Sequence, residues 1–257
     1  MKKSISLVLS IIMLLSTLAG FNLTAYANWV SDCKNVDLNT WYGAVVTNYD
    51  YDSNENSYLK GCYFTLPAAG KITFKARANS EYDLPTDFMI FKSNNLENPL
   101  RSTYNGDFFD ELDYYSGLGC YQDSFAVTLS KGSYYLMMDL HGYVESGYFD
   151  YSLSFYPQFS NVSLTKVVAL KKGFKATWKK ASSATGYQIQ YSRNSNMSSA
   201  KTITCLKNTK VSYATQKLSA KKKYYVRIRT YKKIKGSGIN KTYYGKWSSK
   251  KTVVTKK

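Results

Sequence analysis

Apolar side chains recur at every second position through most of this chain, and that is the period of a β-strand, whose successive side chains point to opposite faces. Cys62, Phe64 and Leu66 alternate, a Pro-Ala-Ala-Gly turn follows, and Ile72, Phe74 and Ala76 resume the pattern. Phe125, Val127 and Leu129 repeat it ahead of a Lys-Gly turn, and the run YFDYSLSFY closes the first half. No helical period competes over a comparable length. Tyr supplies 25 residues, and aromatic side chains suit a pleated, half-buried surface. The expected fold class is all-β, with two β-sandwich domains.

Charge says where the chain divides. All 17 acidic residues lie between Asp32 and Asp150. Residues 28–157 carry 8 Lys and Arg against those acids, a net charge of −9. Residues 158–257 carry 25 basic residues and no acidic one. Such asymmetry implies two units with different surfaces. An acidic domain is therefore expected over 28–157 and a basic one over 158–257, with the boundary at Pro157.

Ahead of both, residues 1–27 read as a cleaved signal peptide. Lys2 and Lys3 precede an apolar run from Ile5 to Ala19, and Ala25-Tyr26-Ala27 offers small residues around a cleavage site. The apolar run is short for a membrane span, which needs about 20 residues. The mature chain is thus expected to be secreted, with no transmembrane span. In that compartment cysteines can pair. Cys33, Cys62 and Cys120 lie in the first half and Cys205 alone in the second, so one bridge within the first half is open, in any of three pairings. With a single His and no C-x-x-C, spacing supports no zinc site.

The phrases Tyr63 to Phe74 and Leu129 to Leu136 resemble two hairpins of the bacterial pre-peptidase C-terminal domain. That resemblance implies a jelly-roll-like accessory sandwich for 28–157, used for targeting or substrate binding and in some members binding calcium. Two acidic stretches bear on calcium: Asp50, Asp52 and Glu55, and Asp107, Asp110, Glu111 and Asp113. Of these, Asp107, Asp110 and Asp113 are the candidate ligands, although neither stretch has the Gly and terminal Glu of an EF-hand.

The second half resembles a fibronectin type III domain more specifically. Phe174 to Trp178 reads as a strand with an inward Trp, Tyr187 to Tyr191 as the next, and Leu218 precedes Tyr224 in the run YYVRIRTY. The Leu-x5-Tyr-x-Val-x-Ile spacing is that of a tyrosine corner. The similarity is greatest to Lys- and Tyr-rich versions on secreted proteins of Gram-positive, clostridial-type bacteria. Alternation assigns Trp178, Tyr187, Ile189, Tyr191, Tyr224, Val226 and Ile228 to the core. Gln188, Gln190, Tyr225, Arg227, Arg229 and Tyr231 then face outward, and the following hairpin adds Lys232, Lys233, Lys235, Lys241, Tyr243 and Tyr244.

An Arg, Lys and Tyr surface with no carboxylate in its own domain attracts polyanions. Gln188, Gln190, Tyr225, Arg227, Arg229, Tyr231, Lys232, Lys233 and Lys235 are accordingly the candidate ligand-binding residues. Their expected partners are anionic cell-wall or extracellular polymers, the protein being either released or held at the wall without a covalent bond. Cytoplasmic nucleic acid is not expected, because a secreted chain does not meet it and no recognition motif is present. A carbohydrate-binding role, with or without calcium, is the alternative. A hydrolase is a remote one, since the lone His141 has no nucleophile motif beside it and the acidic stretches form no catalytic pattern. No other cofactor is expected. Opposite net charges on the two domains also leave room for salt-dependent self-association.

Overall fold

The alternating runs become strands. In the computed structural model, residues 30, 32–52, 57–80, 83–96, 99–102, 113–115, 118–140 and 147–257 are described. The chain divides into two compact units. One ends at Tyr156, and the other begins at Pro157 and runs to Lys257 apart from the hairpin tip Gly236–Ile239. Among the described residues no helix is long and apolar enough to cross a membrane.

The first unit contains β1 (Lys34–Asn35), β2 (Trp41–Val46), β3 (Tyr51–Asp52), β4 (Ser57–Leu66), β5 (Gly70–Ala78) and β6 (Asp87–Lys92). It continues with β7 (Arg101–Ser102), β8 (Asp113–Tyr115), β9 (Cys120–Leu129), β10 (Gly132–Leu140) and β11 (Gly147–Pro157). A 6-stranded sheet runs in the order β1-β4-β10-β6-β7 with β3 against β4, and a 5-stranded sheet runs β2-β11-β5-β9-β8. On β5 the buried side chains Ile72, Phe74 and Ala76 alternate with more exposed Lys71, Thr73 and Lys75. Phe88 of the first sheet meets Phe74 and Phe125 of the second at ring separations of 4.4 and 5.0 Å, so the core lies between the sheets. The result is a β-sandwich.

Its turns differ from the expectation of hairpins. β4 pairs with β10, and β5 pairs with β9. The Pro-Ala-Ala-Gly and Lys-Gly turns therefore carry the chain from one sheet to the other. A turn signal specifies reversal, not lateral pairing. Here Phe64 and Leu66 on one strand and Ile72 and Phe74 on the next all bury their side chains in one core, which stacked sheets about 10 Å apart allow.

All four cysteines are free thiols, so no bridge is formed in either unit. The parallel pairing of Lys34 with Cys62 brings Cys33 close to Cys62. Burial, with a contribution from Asp32, pushes the Cys33 thiol up to about 12. Burial and then Cys33 raise Cys62, against a hydrogen bond with Tyr151 that works in the other direction.

The second unit contains β12 (Leu164–Leu170), β13 (Gly173–Trp178), β14 (Gly186–Ser192) and β15 (Lys201–Cys205). Then come β16 (Ser212–Thr215), β17 (Lys223–Gly236), β18 (Ile239–Tyr244) and β19 (Lys251–Val254). A 3-stranded sheet β12-β13-β16 faces a 5-stranded sheet β15-β14-β17-β18 with β19 on β17, a fibronectin type III-like sandwich. Trp178, Tyr187, Ile189, Tyr191, Tyr224, Val226 and Ile228 are all buried in one cluster. The Tyr224 hydroxyl accepts from the Ser219 amide at 3.3 Å and forms the tyrosine corner. A second buried hydroxyl is held more tightly: Tyr187 accepts from the Ala181 amide at 2.7 Å and donates to the Asn208 carbonyl at 3.0 Å.

Tyr187→Phe strands one buried donor and one acceptor, so it should lower unfolding free energy by about 1–3 kcal/mol, with Tyr224→Phe costing less; urea denaturation measures both. The thiolate is the reactive form of cysteine. Cys33 and Cys62 should therefore resist iodoacetamide at neutral pH in the folded protein and react once it is unfolded. Because folding opposes their ionisation, stability should decline as pH rises above the ordinary thiol value of 9.0, and less so in Cys33→Ala.

Candidate functional site

Three strands of the larger sheet in the second unit carry the same local phrase, polar–Ile–polar: Gln188-Ile189-Gln190 on β14, Thr202-Ile203-Thr204 on β15 and Arg227-Ile228-Arg229 on β17. The isoleucines pack inward. Register then sets the polar residues in ranks on the outer face, with Gln190 opposite Arg227 and Thr202, and Gln188 opposite Arg229 and Thr204.

Each rank is hydrogen-bonded end to end. Arg227 donates from Nε and Nη2 to Gln190 Oε1 at 2.9 and 2.7 Å, and Arg229 donates likewise to Gln188 Oε1 at 3.0 and 2.7 Å. The amide nitrogens donate onward, Gln190 to Thr202 Oγ1 at 3.0 Å and Gln188 to Thr204 Oγ1 at 3.3 Å. That direction of each amide is the one that satisfies both neighbours.

Aromatic rings hold the guanidinium planes. Trp247, in the segment after β18, lies 4.6 Å from the Arg227 guanidinium carbon and 4.3 Å from that of Arg229. Tyr244 lies 4.2 Å from Arg229. Burial draws Arg229 below its ordinary value, the Tyr244 hydroxyl opposes this, and neighbouring Arg227 adds to it. An arginine guanidinium does not lose its proton in a protein, so two positive charges stand beside one another on this face. Among the described residues neither forms an ion pair; the two that are present, Lys60–Asp50 and Arg77–Asp150, belong to the first unit. Each guanidinium spends Nε and Nη2 on its glutamine, and its Nη1 takes no part in those bonds.

Three expected surface residues are buried instead. Tyr231 does lie on the outer side of β17, but its ring covers Gly186 on the facing strand, where a Cβ would stand 2.8 Å from it. Its hydroxyl approaches the Cys205 carbonyl at 3.5 Å. Lys232 is on the inner side, and its ammonium sits 5.8 Å from the Phe159 ring, with burial lowering its pKa. Tyr243 is buried as well. Tyr225 is half-buried with Lys223 5.3 Å from its ring, and Lys233, Lys235 and Lys241 are exposed. The site is therefore Gln188, Gln190, Tyr225, Arg227 and Arg229, with Lys233 and Lys235 beyond. Trp247, Thr202 and Thr204 join it; the recurring polar–Ile–polar phrase is the signal that finds the threonines.

The calcium candidates Asp107 and Asp110 lie outside the described residues, as do Glu55, Glu111 and His141, and Asp113 is described only through its backbone in β8. Among the described residues no group of three or more His, Cys, Asp or Glu could hold a metal ion. Asp50 serves the fold: it accepts from the Thr47 amide at 2.7 Å and from Lys60.

No family model and no curated protein matches the chain. Among solved structures it is similar to the pre-peptidase C-terminal domain of a collagenase from Bacillus anthracis, at 14% identity over 48% of this chain and 94% of that one, with a TM-score of 0.31. It is also similar to a fibronectin type III-like protein from Clostridium thermocellum, at 18% identity over 37% of this chain and 93% of that one, TM-score 0.28. A fibronectin type III domain of human contactin 1 matches at 16% identity over 39% of this chain and 84% of that one, TM-score 0.30.

Trp247→Ala removes a ring shared by two guanidinium groups. At about 0.5–1 kcal/mol for each such contact on a surface, it should lower unfolding free energy by about 1–2 kcal/mol in urea, without changing strand content by circular dichroism.

Proposed function

We propose that the chain is a secreted, non-catalytic binding protein of the adhesion type, whose basic fibronectin type III-like domain holds it to anionic polymers at the surface of a Gram-positive, clostridial-type bacterium. The observation that carries this reading is the pair Arg227 and Arg229, fixed in place by neutral partners. A structural ion pair would have spent their charge internally. Here the glutamine carbonyls and the rings of Trp247 and Tyr244 set the geometry and leave the charge outstanding.

An anionic chain laid along β17 meets guanidinium groups two residues apart, a spacing of about 6.6 Å on an extended strand. Guanidinium forks suit phosphate and sulfate oxygens, and half-buried Tyr225 offers apolar contact between charges. The domain's 25 cations and lack of any acid add a long-range attraction, which weakens as salt shortens the Debye length below about 8 Å. Wall phosphates such as teichoic acids are the partner class that fits. Residues 1–27 would take the protein there as a signal peptide, and the first domain would act as an accessory sandwich.

The double variant Gln188→Glu/Gln190→Glu places a carboxylate on each guanidinium while preserving its position. Sedimentation with purified Gram-positive cell walls should fall roughly tenfold, the equivalent of about 1.4 kcal/mol, with the melting temperature unchanged or raised. Wall binding equal to that of the parent protein would contradict the reading.

A further inference from the structure

The outer face of the 5-stranded sheet in the first unit presents a second arrangement, independent of the cationic ladder. Register sets Trp41 opposite Ser152, Gly43 opposite Asp150 and Val45 opposite Tyr148 on that face. Trp41, Val45 and Tyr148 remain 40%, 56% and 53% exposed, although the same strands bury Ala44, Val46 and Phe149 on the other side. Large apolar groups are thus held in water side by side.

The rings are fixed there. A Cβ at Gly43 would stand 2.5 Å from the Tyr148 hydroxyl oxygen and 3.0 Å from its ring edge, so the hydroxyl end of the ring rests against the glycine. The hydroxyl donates to Asp150 Oδ1 at 2.8 Å. Asp150 Oδ2 accepts from Arg77 Nε and Nη2 at 3.1 and 3.0 Å, and the Arg77 guanidinium lies 4.3 Å from the centre of the Trp41 ring. One continuous chain of contacts therefore runs Tyr148–Asp150–Arg77–Trp41.

Shielding a glycine does not require an open ring. Tyr231 covers Gly186 in the same way and is only 2% exposed. The openness of Tyr148 is therefore a property of this face. An aromatic ring that is 53% exposed and bordered by a carboxylate and a guanidinium suits the amphipathic form of a pyranose, with its C–H faces and its hydroxyls around the edge. Charge narrows the occupant further. Arg77 and Asp150 neutralise each other, and the domain carries a net −9, which repels polyanions.

We propose that this face binds a neutral hexopyranosyl polysaccharide, with one sugar stacked on Tyr148 and its hydroxyls bonded to Arg77 and Asp150. Hydroxyls both donate and accept, so one sugar edge can use the two groups together. Val45 and Trp41 extend the apolar floor to either side.

Affinity electrophoresis of the full chain through gels containing a soluble glucan, mannan or galactan tests this. Salt at 1 M, where the Debye length is about 3 Å, suppresses the polyanion contribution. Retardation by at least one of the three is expected, lost roughly tenfold in Tyr148→Leu and in Val45→Lys. Tyr148 and Val45 are both more than half exposed, so both variants should fold, which a thermal melt verifies. Retardation should persist in Gln188→Glu/Gln190→Glu, which separates this site from the cationic one. No retardation in any of the three gels, or retardation unchanged in Tyr148→Leu, would overturn the proposal. Capture of a protein in place of a polysaccharide would do the same.

Discussion

No Asp or Glu lies between Gln158 and Lys257, so within the second domain its cations find water, dipoles and aromatic faces in place of side-chain carboxylates. For Arg227 and Arg229 the solution is a pair of glutamine carbonyls and two rings. The geometry depends on the core beneath. Ile189 and Ile228 are fully buried and fix the strands in register, and register aligns Gln188 with Arg229 and Gln190 with Arg227. Dipoles orient a charge without cancelling it. Rigidity and outstanding charge therefore come from the same contacts, since what holds the arginines also leaves them charged.

The first domain handles arginine the opposite way. Arg77 lies on an aromatic ring too, but its hydrogen bonds go to the carboxylate of Asp150. The charge is spent locally, and what remains at the surface is a pair of polar groups beside exposed rings. Two β-sandwiches of different strand order thus offer different chemistry: outstanding positive charge on one, a neutral aromatic platform on the other. Exposed ion pairs contribute at most about 1 kcal/mol to stability, so Arg77–Asp150 matters more for orienting Tyr148 and Trp41 than for holding the sheet.

Much of the second domain is legible in its sequence, because alternation, the inward Trp178 and the spacing of Leu218 and Tyr224 all agree. Faces are legible as well: Gln188, Gln190, Arg227 and Arg229 stand on the side that the strand period assigns. Openness is another matter. Tyr231 and Lys232 are placed by features distant in the chain: the Tyr231 ring settles over Gly186 on the neighbouring strand, and Lys232 lies at Phe159 ahead of β12. Trp247 lies outside any strand, so no period points to its ring. In the first domain the strands are legible but their partners are not, since Pro-Ala-Ala-Gly looks alike whether it joins neighbours or crosses between sheets. Trp41 and Tyr148 belong to strands far apart in sequence, and only pairing shows that they share a face.

Outstanding charge has a thermodynamic signature in the ions it releases. Isothermal titration of the full chain with linear polyphosphate, repeated from low to high sodium chloride, gives the slope of log affinity against log salt. If Arg227, Arg229 and the neighbouring lysines each meet an anion, the slope is negative, by about 0.7–0.9 for each phosphate neutralised, and totals several units. A slope near zero would mean that the cations of this face are already balanced, and would contradict the account.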